Sequence, residues 1–279
     1  MRIKILISLF LTVGSFAVAQ SVNTTDADVS STLARMKSQN WTDRDKAFGE
    51  SVRLLASRNL APDDADRLRL GIIDLLSTEN SENRVLETDE AAAAVPESDD
   101  TDSEEVSEYY ASLIDYVAQL GDERAIPALL GATHTGYMAV RGVARFGYKA
   151  LDPTLEQVKS KDPHLASGAL LVIQQLLEWH TIRDPNSKLR IKRALRTALQ
   201  SPDSIVRKVA IYAIEYLDDR EEFVPMLKDI AEHDPYKLQG LSLRDGTVGD
   251  IYFVREAAAE LLRKIANHTP PVVDRGVND

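Results

Sequence analysis

The 279-residue chain has no cysteine, which removes disulfides, thiol nucleophiles, thiolate metal sites and the lipid-modified cysteine of a lipoprotein. Its 13 glycines and 11 prolines are too few for a fibrous or wholly disordered protein. Beyond the first residues no apolar stretch approaches the roughly 20 residues of a membrane-spanning helix. There is no basic run either, and a net charge of −11 offers little to a phosphate backbone, so nucleic acid is not an expected partner. The phrases G-x-S-x-G, the P-loop and the dinucleotide fingerprint are all missing, and no two histidines stand at H-x-x-x-H spacing. No catalytic, cofactor-binding or metal-ligating residue is therefore assigned.

What is present begins with the leader. Arg2 and Lys4 precede a nearly continuous apolar run from Ile5 to Val13, and Ala17-Val18-Ala19 forms a small-x-small cleavage site. Residues 1–19 thus read as a secretory signal peptide cut after Ala19, with a periplasmic or secreted mature chain and no membrane span after cleavage. Asn23, Asn40 and Asn267 head Asn-x-Thr triplets, which matter only in a eukaryotic secretory pathway.

The net charge is local. Between Glu79 and Glu108 twelve acidic residues stand against one basic residue, Arg84, while the rest of the chain balances at 32 of each sign. Within this window the segment 79–105 reads as an acidic disordered loop with four consecutive alanines and almost no bulky apolar residue. Its carboxylates lack the alternation and mid-loop glycine of an EF-hand.

Apolar residues at offsets 0, 3, 4, 7, 8 and 11 define one face of a helix. Windows starting at Val106, Val140, Leu165, Val206 and Val254 fill that set completely, and on this phase Tyr109, Tyr110 and Tyr148 face the core. Offset 4 is alanine at 144, 169, 210 and 258, where a small side chain lets a neighbouring helix approach. Arg141, Arg207 and Arg255 follow at offset 1, with stems expected on the core and heads in water, and Asp203 stands four residues before Arg207 as a candidate partner. Between these windows lie second helices, opened by proline at Ile126-Pro127, Asp152-Pro153 and Val224-Pro225 and continued in one unit by Leu189 to Leu199. Helix, turn, helix, turn is the unit, and pairs of this kind bury their apolar faces by stacking.

At Gly121-Asp122-Glu123-Arg124-Ala125-Ile126-Pro127, Val140-Arg141-Gly142-Val143-Ala144, Val206-Arg207-Lys208-Val209-Ala210 and Val254-Arg255-Glu256-Ala257-Ala258 the chain resembles the HEAT-repeat family, in particular its bacterial, PBS-lyase-like units. Asp162-Pro163-His164-Leu165-Ala166 departs from the pattern by placing Ala166 where the arginine would stand. The resemblance implies an all-α fold, a right-handed α-solenoid of stacked antiparallel helix pairs across 106–267. It also implies partner binding in the main, with an enzyme or enzyme accessory subunit as the alternative and DNA-binding glycosylase-like relatives as a third branch disfavoured by charge.

Residues 20–78 complete the organisation as an N-terminal helical cap or divergent first repeat, with helices at 26–39, 43–58 and 62–77, and 268–279 as a flexible tail. Arg44-x-x-Ala47 echoes the repeat phrase there, although offsets 0, 3, 7 and 8 are the polar Asp43, Lys46, Glu50 and Ser51. Residues 236–250 interrupt the last unit, and Asp245-Gly246 between apolar positions predicts a small projecting hairpin. Tyr236, Lys237 and Arg244 are the expected contacts of a protein or peptide partner, because loops on a rigid scaffold commonly carry function. The chain reads as a non-enzymatic, exported scaffold that needs no cofactor and presents the array of second helices to its partner.

Overall fold

A computed structural model describes residues 26–57, 60–86, 100–241 and 248–268. The leader at 1–19, the middle of the acidic segment at 87–99, Arg244 with its Asp245-Gly246 turn, and the tail beyond 268 lie outside the described residues.

Local signals start the helices. Asn40, Asp162, Asp184 and Asp203 each accept hydrogen bonds from backbone N–H groups of the turn that follows, and these four residues open α2 (Trp41–Ala56), α8 (Pro163–Glu178), α9 (Pro185–Ala198) and α10 (Ser204–Ile214). Proline stands in the first turn of α5 (Ile126–Gly131), α8, α9 and α11 (Val224–His233), where its missing N–H costs nothing. The remaining helices are α1 (Asp26–Arg35), α3 (Pro62–Leu86), α4 (Asp100–Leu120), α6 (Tyr137–Ala144), α7 (Leu151–Gln157) and α12 (Phe253–Ala266). Short 3₁₀ turns at Glu123–Ala125, Gly147–Ala150 and Arg220–Phe223 lead into α5, α7 and α11.

The helices stack in two rows. In the first-helix row α4 packs on α6, α6 on α8, α8 on α10 and α10 on α12. Each second helix packs on the first helix of the following pair: α3 on α4, α5 on α6, α7 on α8, α9 on α10 and α11 on α12. One apolar core therefore runs from Met36 to Ile265 without a break, and the chain is an α-solenoid. The window residues Val206, Val209, Ala210, Ala213, Ile214 and Leu217 are all buried, as the period of 3.6 requires. β1 (Leu238–Leu241) and β2 (Val248–Ile251) form the expected hairpin between α11 and α12, paired antiparallel with Leu238 opposite Ile251 and Leu241 opposite Val248.

Three sequence expectations are corrected. The window from Val140 to Leu151 is not one helix: α6 ends at Ala144, and Gly147 adopts φ +57, a left-handed turn that glycine enters without penalty. The phase is lost there, and Tyr148 is 61% exposed instead of core-facing. The expected acidic loop at 79–105 is helical at both described ends, because α3 continues to Leu86 and α4 begins at Asp100. Glu79 and Asn80 are buried; the Asn80 side chain donates to the Ala128 carbonyl at 2.7 Å and accepts from the Tyr110 hydroxyl at 2.5 Å. Finally, the arginine at offset 1 does not keep its head in water where it is Arg207, which is buried.

Helices approach closely at Gly71, Gly142 and Gly168, and most closely at Gly168. A methyl on Gly168 would lie 2.0 Å from Thr133 Oγ1 and 2.8 Å from its Cβ. Thr133 is itself buried and its hydroxyl donates to the Leu130 carbonyl at 2.8 Å, so it has little room to yield. Gly168→Ala should cost about 1–3 kcal/mol by urea unfolding, as overpacking does. Gly49→Ala, where a methyl meets nothing within 4 Å, should instead stabilise by about 0.5–1 kcal/mol. Equal effects at the two sites would contradict this packing.

Candidate functional site

The turns that connect one helix pair to the next share a construction. Ser38, Ser160 and Ser201 accept from the backbone N–H of Asn40, Asp162 and Asp203 at 3.1, 3.1 and 3.2 Å. The Asn or Asp then accepts from the N–H two residues on at 2.9, 2.9 and 2.8 Å. Four residues after it stands Arg44, Ala166 or Arg207.

Arg207 fills its slot completely. Nη1 donates to the Ser201 and Pro202 carbonyls, both at 2.8 Å, while Nε and Nη2 grip the Asp234 carboxylate at 2.7 and 2.9 Å. Its expected partner Asp203 is occupied in capping α10, so the sequence-based pairing is replaced by one across the helix pair. Asp234 joins three parts of the molecule. Its carboxylate holds Arg207 and accepts from the Tyr236 N–H at 3.0 Å, and its carbonyl accepts from Arg255 Nε at 2.6 Å. Arg44 repeats the arrangement in the first pair: Nη1 donates to the Ser38 and Gln39 carbonyls at 2.9 and 3.0 Å, and Nε meets Glu79 at 2.5 Å. The recurrence of Ser-x-Asx-x-x-x-Arg was the sequence signal for both slots.

The second-helix row, where the partner surface was expected, is laced with ion pairs. Arg124 meets Asp66 at 2.5 Å and Asp122 at 2.6 Å, Lys149 meets Glu123, Arg190 meets Asp152 at 2.6 Å, and Lys188 meets Asp218 at 2.5 Å. Lys192 bridges Asp219 and Glu222, and Arg196 adds Glu222 at 2.9 Å. Hydrogen bonds from Arg124 hold the carboxyls of Asp66 and Asp122 below the usual range, and those from Lys188 and Lys192 do the same for Asp218 and Glu222. Most of these pairs are exposed to solvent, so each contributes little to stability.

Tyr148 and Leu189 are exposed on this row, but exposed apolar side chains gather into clusters elsewhere. On α10, Ile205 and Tyr212 are 48% and 40% exposed at i and i+7, and Lys208 between them sits 5.8 Å from the Tyr212 ring centre and 4.7 Å from that of Phe253. Tyr236 packs edge-on against Phe253 at 4.9 Å, and the cross-strand pair Leu238 and Ile251 is exposed beside it. A second cluster covers α6 and the end of α8, where exposed Tyr137 and Met138 adjoin Arg141, whose guanidinium lies 5.9 Å from both the Tyr137 and Trp179 rings. The Tyr137 hydroxyl donates to Gln175, whose amide donates to the buried Glu178 at 3.0 Å.

Of the sequence-predicted contacts, Tyr236 is half-buried at the hairpin base, Lys237 is exposed with its ammonium held by Asp250 at 2.8 Å, and Arg244 lies outside the described residues. The structure brings Tyr236 together with Lys208, Tyr212 and Phe253, which sequence reasoning missed because they come from two separate helices. Among the described residues no three His, Asp or Glu side chains gather where they could hold a metal ion, and no helix is long and apolar enough to cross a membrane.

No protein-family model matches the chain, and no curated protein does. Among solved structures, the karyopherin Kap121p bound to Ste12p superposes with a TM-score of 0.36 at 16% identity over 91% of this chain, which spans 21% of the karyopherin's length. A designed armadillo repeat protein in complex with a (KR)4 peptide gives a TM-score of 0.34 at 11% identity, over 84% of this chain and 99% of the other. The chain's own contacts make it an α-solenoid of stacked helix pairs, with an antiparallel strand pair between α11 and α12.

Proposed function

We propose that the chain is an exported, non-enzymatic scaffold that binds a protein or peptide through the surface formed by α10, α12 and the hairpin base. The observation that carries this reading is the patch of Ile205, Lys208, Tyr212, Phe253, Tyr236 and Leu238. Ile205, Tyr212 and Leu238 are exposed and Lys208, Tyr236 and Phe253 half-buried, and aromatic and aliphatic side chains around a cation are the composition of an interface core. The buried ionisable groups support a scaffold over an enzyme. Arg44 is spent on Glu79, Arg207 on Asp234, Lys192 on Asp219 and Glu222, and Arg220 on the Glu215 carbonyl. Export rests on the leader at 1–19.

The test is a random peptide library displayed on phage and panned against the mature chain beginning at Gln20, whose N-terminus is checked by intact mass after expression of the full chain. Enriched peptides should lose about tenfold or more in affinity to the Ile205→Ser/Tyr212→Ala variant, as loss of interface anchors does. A library that yields no enriched sequence, or peptides indifferent to that variant, would refute the reading.

A further inference from the structure

The middle one of the three matching turns has no arginine. Ala166 occupies the position, buried, and it opens onto a cleft of about 830 Å³ between the α7–α8 turn and the α9–α10 turn. Ser160, Lys161, Ala166, Ala198 and Asp203 are among its lining residues.

The slot of Arg207 shows what such a cleft is built to hold. There the guanidinium lies between the two carbonyls of its own turn, Ser201 and Pro202, and the turn acid of the next unit, Asp234. At Ala166 the corresponding carbonyls are those of Ser160 and Lys161, and the turn acid of the next unit is Asp203. Asp203 and Asp234 are equivalent in a specific way: each accepts through Oδ1 from the N–H two residues on, at 2.8 and 3.0 Å. Asp234 does so while also gripping Arg207. Both hydrogen bonds described for Asp203 fall on Oδ1, and among the described residues none reaches its Oδ2 or the Ser160 and Lys161 carbonyls. The other charges nearby are Asp162, which caps α8, Lys159, held by Glu156 at 2.6 Å, and Lys161 at the exposed rim.

We propose that this cleft takes up an arginine side chain supplied by a partner peptide, its guanidinium donating to the Ser160 and Lys161 carbonyls and pairing with Asp203 as Arg207 pairs with Asp234. Arginine suits the site because its planar fork can serve two acceptors and a carboxylate at once, which a lysine ammonium does not. The cleft is several times larger than one side chain and admits the adjoining main chain of the peptide. The proposal names the partner's chemistry and in that sense rests on the scaffold reading, although it uses a different surface.

The probe is N-acetyl-arginine amide titrated into the mature chain, followed through the backbone amide resonances of residues 160–166 and 198–206. The neutral isostere N-acetyl-citrulline amide serves as control. Arginine should shift these resonances saturably, and citrulline should bind about tenfold or more weakly for want of the charge-assisted pair. Asp203→Asn should weaken arginine by a similar factor while keeping the α10 cap, since Asn caps as well as Asp. Ala166→Arg should abolish binding by filling the slot from within the chain. Absence of a saturable shift, citrulline binding as tightly as arginine, or Asp203→Asn binding unchanged would each overturn the proposal. Library peptides that bind the α10 patch while arginine ignores the cleft would defeat this inference alone. Arginine uptake in the cleft without any library peptide would defeat the patch alone.

Discussion

Arg207→Ala is expected to destabilise the folded chain by about 3–5 kcal/mol, the range found when one partner of a buried ion pair is removed. The side chains of Arg207 and Asp234 are only 8% and 2% exposed, so alanine leaves a carboxylate without its cation in a place water hardly reaches. It also strips the Ser201 and Pro202 carbonyls of their donor. The loss should concentrate in α10 to α12, because each pair in a solenoid contacts only its neighbours. Hydrogen exchange should therefore rise there first, while α4 to α6 stay protected. Two further variants separate the causes. Arg207→Lys retains a charge but not the fork, and should recover only part of the loss. Arg207→Met with Asp234→Leu removes both charges and should recover more than either single change, since a well-packed apolar pair can match a buried ion pair. Arg255→Ala gives up one bond from a half-buried side chain and should cost about 1 kcal/mol. Urea unfolding is the measurement. An Arg207→Ala loss within about 0.5 kcal/mol, typical of an inconsequential surface change, would remove the slot from the account of stability.

What could be read without coordinates follows from how far each signal reaches along the chain. The starts of α5, α8, α10 and α11 were legible because proline and a capping Asp act within one turn. The order of pairs was legible because the apolar period persists over three turns in the windows that start at Val106, Leu165, Val206 and Val254. The strand pair was legible from the apolar positions Leu241, Val248 and Ile251, while the Asp245-Gly246 signal lies outside the described residues. Tyr148 was misplaced because a single left-handed glycine, Gly147, resets the helical phase, and a pattern count takes glycine as a small residue like alanine. The Arg207 partner was misassigned because Asp203 is the acid near in sequence whereas Asp234 is the acid near in space. The candidate surface was half legible. Tyr236 was found from its loop, but Lys208, Tyr212 and Phe253 look like ordinary helix residues until α10 and α12 are set side by side. The ion pairs between consecutive units along the second helices were not legible, because a charge read singly does not say which charge of the next unit it meets.

Glu79 provides the second large effect, and it separates a buried acid from the exposed ones with which it shares a charge run. In sequence it is the first of the twelve acids that end at Glu108, and composition treats all of them alike. In the fold its carboxylate is 6% exposed and receives Arg44 Nε at 2.5 Å and the Tyr109 hydroxyl at 2.9 Å, while Glu108 is exposed. Burial and, after it, the Glu79 charge and hydrogen bond hold the Tyr109 phenol far above its ordinary range, so Tyr109 stays a donor at any pH the protein meets. Glu79→Ala takes from the Arg44 side chain, 2% exposed, the buried carboxylate that grips it and from the Tyr109 hydroxyl its acceptor, and should cost about 3–5 kcal/mol. Glu108→Ala should change stability by no more than about 0.5 kcal/mol. Trp41 lies 6.2 Å from the Tyr109 ring, so its fluorescence during urea unfolding reports on this corner of the stack. If the two variants unfold at the same urea concentration as the parent, Arg44 finds another partner and the first pair is not held by this bridge. If Glu79→Ala alone shifts the midpoint, α3 is fastened to α2 and α4 by a charge that composition would have assigned to a solvated loop.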